Sequence, residues 1–89
     1  MLEMNKAYSL NNNLILKGIN DKFWALDTKT GLQYRLNECS YDILSALDGK
    51  TTVEQIIENQ FKKYNVEKSI LINDIMSFLE SAYKKGFIF

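Results

Sequence analysis

Cys39 is the one side chain in this sequence with the makings of a nucleophile, and it stands two residues after Asn37, at what reads as the start of a helix. A helix N-terminus lowers a thiol pKa, so a reactive thiolate is one reading of this position; a small buried side chain near a helix start is the other. Nothing else points to covalent or acid–base work. Histidine is absent, which removes the commonest general base and the commonest metal ligand together. One cysteine builds neither a thiolate metal site nor an intramolecular disulfide. There is no glycine-rich phosphate loop, and the 11 carboxylates are scattered singly as caps or solvated charges. The residues read as those of a binding protein and not of an enzyme, with no metal or other cofactor.

Charge narrows the partner. The 11 basic and 11 acidic residues cancel, and Arg35 is the only arginine, whereas a dedicated nucleic-acid binder is normally basic and rich in that bidentate donor. No apolar run approaches the roughly 20 residues that span a bilayer, and no signal-peptide pattern opens the chain. The expectation is a soluble, cytoplasmic protein that binds neither nucleic acid nor membrane.

The elements that position any binding surface are organised around Asp27–Asn37. Asp27 to Gly31 has the make-up of a type I turn followed by a left-handed glycine. From Leu32 the pattern alternates, with Leu32, Tyr34 and Leu36 on one face and Gln33, Arg35 and Asn37 on the other, as a half-buried strand requires. Two earlier strands are expected, near Leu14–Lys17 and Lys22–Leu26, with Trp24 packed in the sheet, giving a three-stranded antiparallel meander. Residues 1–13 read as a loosely ordered N-terminal arm on which Tyr8 and Leu10 dock, and residues 14–89 as the domain proper.

Three helices are expected after the meander, which makes an α+β, winged helix-turn-helix arrangement. Asn37 caps the first, over about Glu38 to Leu47, with Asp48-Gly49 as its stop. Thr51 and Glu54 have capping-box spacing at the start of the second. The third, about Glu67 to Lys85, has a wider apolar stripe than one packing face needs. Leu71, Ile75, Phe78 and Ala82 form one sector at 100° per residue, and Ile72, Met76, Leu79 and Tyr83 a second beside it. One sector closes the core; the other faces more of the domain, a second copy or a ligand. Phe87-Ile88-Phe89 is an apolar tail expected to fold back.

A three-stranded meander has two edges, and an edge strand is a row of unpaired N–H and C=O groups. If Leu32 to Leu36 is such an edge beside the third helix, an extended peptide can add as a fourth strand. Its alternate side chains would enter pockets near Tyr34, Ile72, Ile75 and Met76.

Several segments in order resemble one family, the PqqD-like domains, also called RiPP recognition elements. They are Trp24-Ala25-Leu26-Asp27, Gly31 to Asn37, Ile43 to Ile56 with its Asp48-Gly49-Lys50-Thr51 turn, Asn73-Asp74-Ile75-Met76-Ser77-Phe78-Leu79, and Gly86-Phe87-Ile88. The resemblance implies a free-standing, non-catalytic adaptor that binds the leader of a ribosomally made, post-translationally modified precursor peptide. It places the leader antiparallel to the third strand, against Leu32, Gln33, Tyr34 and Arg35, with Leu71, Ile72, Ile75, Met76 and Leu79 across the cleft. It also implies a separate modifying enzyme, such as a radical SAM maturase or a leader peptidase and cyclase. The spare apolar surface is compatible with a homodimer. Two other classes stay open: a winged helix DNA-binding regulator, against which Asp74 and Glu80 on the third helix count, and a structural or dimerising module.

Overall fold

The computed structural model describes residues 2–89; Met1 lies outside the described residues. A short strand β1 (Ala7–Ser9) precedes the meander of β2 (Leu14–Ile19), β3 (Lys22–Asp27) and β4 (Gln33–Leu36). Then come α1 (Glu38–Ser45), β5 (Asp48–Thr52), α2 (Val53–Lys63) and α3 (Lys68–Lys84). The sheet order β2-β3-β4, antiparallel throughout, followed by three helices is the expected winged helix-turn-helix. To it is added a second small sheet, β1 paired with β5.

The meander is set by its two turns. Asn20 and Asp21 have φ of 52° and 62°, the paired left-handed conformation that matches the twist of a hairpin. Between β3 and β4, Gly31 at φ 78° turns the chain back and its N–H donates to the Asp27 carbonyl at 2.7 Å. The bond closes the five residues Asp27–Gly31 expected to make this turn, with the glycine left-handed as expected. Asp27 is buried, and its Oδ1 accepts from Asn13 Nδ2 and from the Lys29 N–H, each at 2.9 Å. Those two bonds, the Asn13 one foremost, hold its carboxyl below the usual carboxylate range.

The starts of α1 and α2 follow the polar residues available, while Glu67 before α3 makes no side-chain cap bond. Asn37 caps α1 as expected, its Oδ1 accepting from the Ser40 N–H at 2.7 Å. The second cap is shifted by one residue from the expected Thr51 and Glu54: Thr52 and Gln55 form the capping box. Gln55 N–H donates to Thr52 Oγ1 at 3.2 Å, and Thr52 N–H to Gln55 Oε1 at 2.9 Å. The reason lies in Asp48. Its Oδ1 accepts from the Lys50 and Thr51 N–H groups at 2.8 and 2.7 Å, and its Oδ2 from the Thr51 hydroxyl at 3.2 Å. Thr51 is thereby drawn back, and Thr52 is left to cap. Asp48-Gly49 does follow the end of α1, but it also opens strand β5.

The largest difference concerns the N-terminal arm, which is tied into the fold and not loosely ordered. Ala7 lies opposite Thr52 and Ser9 opposite Asp48. Just before β1, the Lys6 and Met4 carbonyls accept from the Val53 and Glu54 N–H groups at 3.0 and 2.9 Å, two of the donors a helix start leaves unpaired. Beyond it, Ser9 and Phe89 exchange backbone bonds at 2.8 and 2.9 Å, Leu10 bridges Ile88, and Asn11 N–H donates to the Phe87 carbonyl at 2.7 Å. The tail therefore folds back as expected, onto the arm. Leu2 is buried with Ile43, Leu44, Val53, Ile56 and Leu79, and Tyr8 and Leu10 pack against this core as anticipated.

A core that the arm completes should fail without it. Deleting residues 1–10 is expected to abolish the cooperative denaturant transition, and Leu2→Ala to cost about 2 kcal/mol, the low end for a buried leucine. An unchanged midpoint in the deletion would show that the arm is dispensable.

Candidate functional site

β4 is an edge of the three-stranded sheet, and the ladder dictates which of its backbone groups are open. Asp27 N–H donates to the Leu32 carbonyl at 2.9 Å, which fixes the phase of the β3–β4 hydrogen bonds. Carried along the register Leu26↔Gln33, Ala25↔Tyr34, Trp24↔Arg35 and Phe23↔Leu36, the alternation of an antiparallel ladder turns Tyr34 and Leu36 toward β3. Gln33 and Arg35 then direct both N–H and C=O away from the sheet. Their side chains are exposed, while those of Tyr34 and Leu36 are half-buried toward the helices.

Tyr34 is braced by the tail, its ring meeting Phe87 edge to face with centroids 5.0 Å apart. On the other face of the sheet the Arg35 guanidinium lies 5.3 Å from the Trp24 ring centroid, a cation–π contact that covers the tryptophan. Trp24 is thus part of the sheet surface, as its place in the middle strand indicated.

Between β4 and α3 runs a groove made of two hollows. One, of about 270 Å³, is lined on the strand side by Tyr34, Arg35 and Leu36 and on the helix side by Phe78, Ser81, Ala82 and Lys85, with Phe87 nearby. The second, of about 460 Å³, continues past the end of β4, between Asn37, Cys39 and Ser40 of the α1 start and Leu71, Asp74, Ile75, Ser77 and Phe78 of α3. Asn37, Ser40 and Phe78 are common to both. α3 therefore runs antiparallel to β4, its C-terminal end beside Tyr34.

The residues expected at the site are only partly brought together. Tyr34 and Arg35 line the first hollow, and Gln33 lies on the same strand with its backbone open; Leu32 is exposed just before β4. Leu71 and Ile75 reach the second hollow as its floor, both buried. Ile72, Met76 and Leu79 line neither hollow: Leu79 is fully buried, and Ile72 and Met76 are half-buried against the core. The wall of the groove is instead the row Asp74, Ser77, Phe78, Ser81 and Lys85, which apolar periodicity could not find because most of it is polar. The signal that could have found it was position: these residues flank the Leu71, Ile75 and Ala82 stripe on the side away from Ile72 and Met76. On that opposite side a hollow of about 590 Å³ separates Tyr83 and Glu80 from Leu2, Lys6 and Tyr8 of the N-terminal segment.

Cys39, the one candidate nucleophile, is held in a structural setting. Cys39 is half-buried and its Sγ donates to Gln60 Oε1 at 3.6 Å; burial pushes the thiol pKa up, and Asp42 and Asp74 push it further. The structural reading of Cys39 holds over the thiolate one. Among the described residues no group of three or more His, Cys, Asp or Glu is placed to hold a metal ion, and no helix is long and apolar enough to cross a membrane.

Comparison with known proteins gives the family and the fold. Residues 24–88 match the family described as coenzyme PQQ synthesis protein D (PqqD), and the chain belongs to that family. Two solved structures share its fold. TbiB1 in complex with the TbiA(beta) leader peptide matches with a TM-score of 0.78 at 21% identity, over 90% of this chain and 93% of that one. A lasso peptide synthetase B1 complexed with the leader peptide matches with a TM-score of 0.78 at 18% identity, over 92% and 96%. No curated protein matches the sequence.

The division of α3 into core and groove predicts two different outcomes. Leu79→Ala should cost about 2–5 kcal/mol in denaturant unfolding, as a fully buried leucine does. Ser77→Ala, in the exposed wall, should change stability by less than about 0.5 kcal/mol. Similar losses at both positions would contradict the assignment of faces.

Proposed function

We propose that this chain is a non-catalytic adaptor that takes up the leader segment of a ribosomally made precursor peptide as an added strand on β4 and presents it to a separate modifying enzyme. The observation that carries the reading is the open backbone of Gln33 and Arg35 beside a half-apolar groove, in a PqqD-family chain whose fold is shared by two proteins captured with leader peptides. The leader runs antiparallel to β4. Backbone bonds to Gln33 and Arg35 supply affinity with little dependence on sequence, and the side chains that point toward α3 supply selectivity.

The contact surface in this reading is Leu32, Gln33, Tyr34 and Arg35 on the strand side, with Leu71 and Ile75 as the apolar floor. Phe78, Ser77 and Ser81 form the helix wall. Leu79, Ile72 and Met76 act from behind, by holding α3 in place. The adaptor has no chemistry of its own to contribute. Its effect is to keep the part of the precursor that is to be modified near the enzyme, which raises the local concentration without any new contact at the reacting atoms. Suitable enzymes are of the radical SAM maturase or leader peptidase and cyclase kind.

DNA binding is disfavoured by the same geometry. The apolar stripe of α3 is spent on the core, and the face turned to the groove carries Asp74 and two serines where a recognition helix would present arginine or asparagine to base edges.

The test is binding of the leader half of a short precursor encoded beside the gene. Ser81→Arg, a bulky charge on the exposed wall, should weaken that binding by at least about tenfold, the loss of one good interface contact. Asn59→Arg, on the remote polar surface of α2, should leave it unchanged. Equal affinity of the two folded variants would exclude the groove as the leader site.

A further inference from the structure

The two halves of the groove differ in charge. Around the hollow at Tyr34 the charged residues are Arg35 and Lys85, with no carboxylate; around the hollow at the α1 start the charged residue is Asp74, with no cation. Neither Asp74 nor Lys85 has an ion-pair partner among the described residues, and both are exposed. The nearby charges are already engaged: Lys63 bridges Glu38 and Asp42, and Arg35 is held over Trp24 on the far face of the sheet. The Asp74 end is acidic as a whole, since Glu38 and Asp42 outnumber Lys63. Cys39 registers that field: after burial, the carboxylates of Asp42, Asp74 and Glu38 push its pKa up and Lys63 opposes them. At the other end Lys85 Nζ lies 5.9 Å from the Phe87 ring centroid, which keeps the cation beside the Tyr34 hollow.

Asp74 and Lys85 are also in line. Eleven positions apart on a helix of 3.6 residues per turn, they fall on nearly the same face, about 16 Å apart along the axis at roughly 1.5 Å per residue. Lys85 is the helix C-cap and still has right-handed backbone, so the row extends to it. A strand rising about 3.3 Å per residue covers that distance in about five residues. Only every second side chain of a strand faces the helix, so the matching spacing is about four or six. A strand antiparallel to β4 runs parallel to α3, and its N-terminal end therefore lies at Asp74.

We propose that the groove selects its peptide by polarity: a strand with a basic residue toward its N-terminus, at Asp74, and an acidic residue about four or six positions later, at Lys85. The proposal rests on strand addition antiparallel to β4 and adds to it a charge pattern. Backbone pairing alone accepts any sequence in either direction; two oppositely charged contacts at fixed spacing admit one direction and reject the reversed pattern by like-charge contact at both ends. Each ion pair is partly exposed and modest, so the discrimination resides in the pair of them and weakens with added salt.

The probes are two synthetic extended peptides of identical composition, one with lysine preceding glutamate at this spacing and one with the two exchanged, titrated into the isotope-labelled full chain. The lysine-first peptide should bind about tenfold more tightly, and Asp74→Lys combined with Lys85→Glu should invert the preference. Both positions are exposed, so the double variant is expected to fold. If both peptides shift the β4 and α3 amides with equal affinity, and the double variant changes nothing, polarity selection is wrong and strand addition stands. If neither peptide shifts those amides, strand addition fails and the polarity reading fails with it.

Discussion

Burial of one stripe of α3, Leu71, Ile75, Leu79 and Ala82, is the constraint on which the rest of this structure depends. These four side chains lock the helix against a core drawn from α1, α2, Leu2 and the Ile88 tail. Once the stripe is fixed, the rotation of the helix is fixed, and so is what it shows on either flank. On one flank lie Phe78, Ser81 and Lys85, facing the open edge of β4, and Asp74 and Ser77, facing the start of α1. On the other lie Glu80, Tyr83 and Lys84, facing the N-terminal segment. The groove is a consequence of core packing and needs no special element to build it.

Keeping an edge strand open beside such a groove has a structural cost that the chain meets elsewhere. A sheet edge with free N–H and C=O groups invites pairing, and a helix close by restricts which strand can approach. Tyr34 and Leu36 spend their backbone bonds on β3 and their side chains on the interior, so β4 is held firmly while Gln33 and Arg35 stay available. The tail serves the same end. Phe87 supports Tyr34 from below while Phe89 and Ile88 pair with Ser9 and Leu10, so the two ends of the chain meet close to the strand they stabilise.

Much of this was legible in the residues. The alternation from Leu32 to Leu36, the left-handed glycine at Gly31, the Asn37 cap and the ordered segments shared with PqqD-like domains led to the meander, the three helices and the family. The parts that were not legible share a physical cause, which is competition among near-equal local signals. Thr51 and Thr52 each have a partner at capping-box spacing, and only the hold of Asp48 on Thr51 decides between them. β1 is three residues long, too short to show a period, and its partner Thr52 is far away in sequence. The wheel of α3 showed two apolar sectors without saying which faced β4. Leu79 falls in the same sector as Ile72 and Met76, and the resemblance sets it across the cleft, yet it is at the centre of the core, and the wall is the mostly polar row on the other flank.

Completion of the sheet at β4 by a leader peptide, as proposed, is tested most directly by amide hydrogen exchange of Gln33 and Arg35. In the free protein both N–H groups point to solvent and should exchange fast, while those of Tyr34 and Leu36, bonded to β3, exchange slowly. With the leader bound, Gln33 and Arg35 should become protected together and Tyr34 should change little. Protection confined to α3, or Gln33 and Arg35 amides that stay fast in a saturated complex, would mean that the peptide binds by some means other than an added strand.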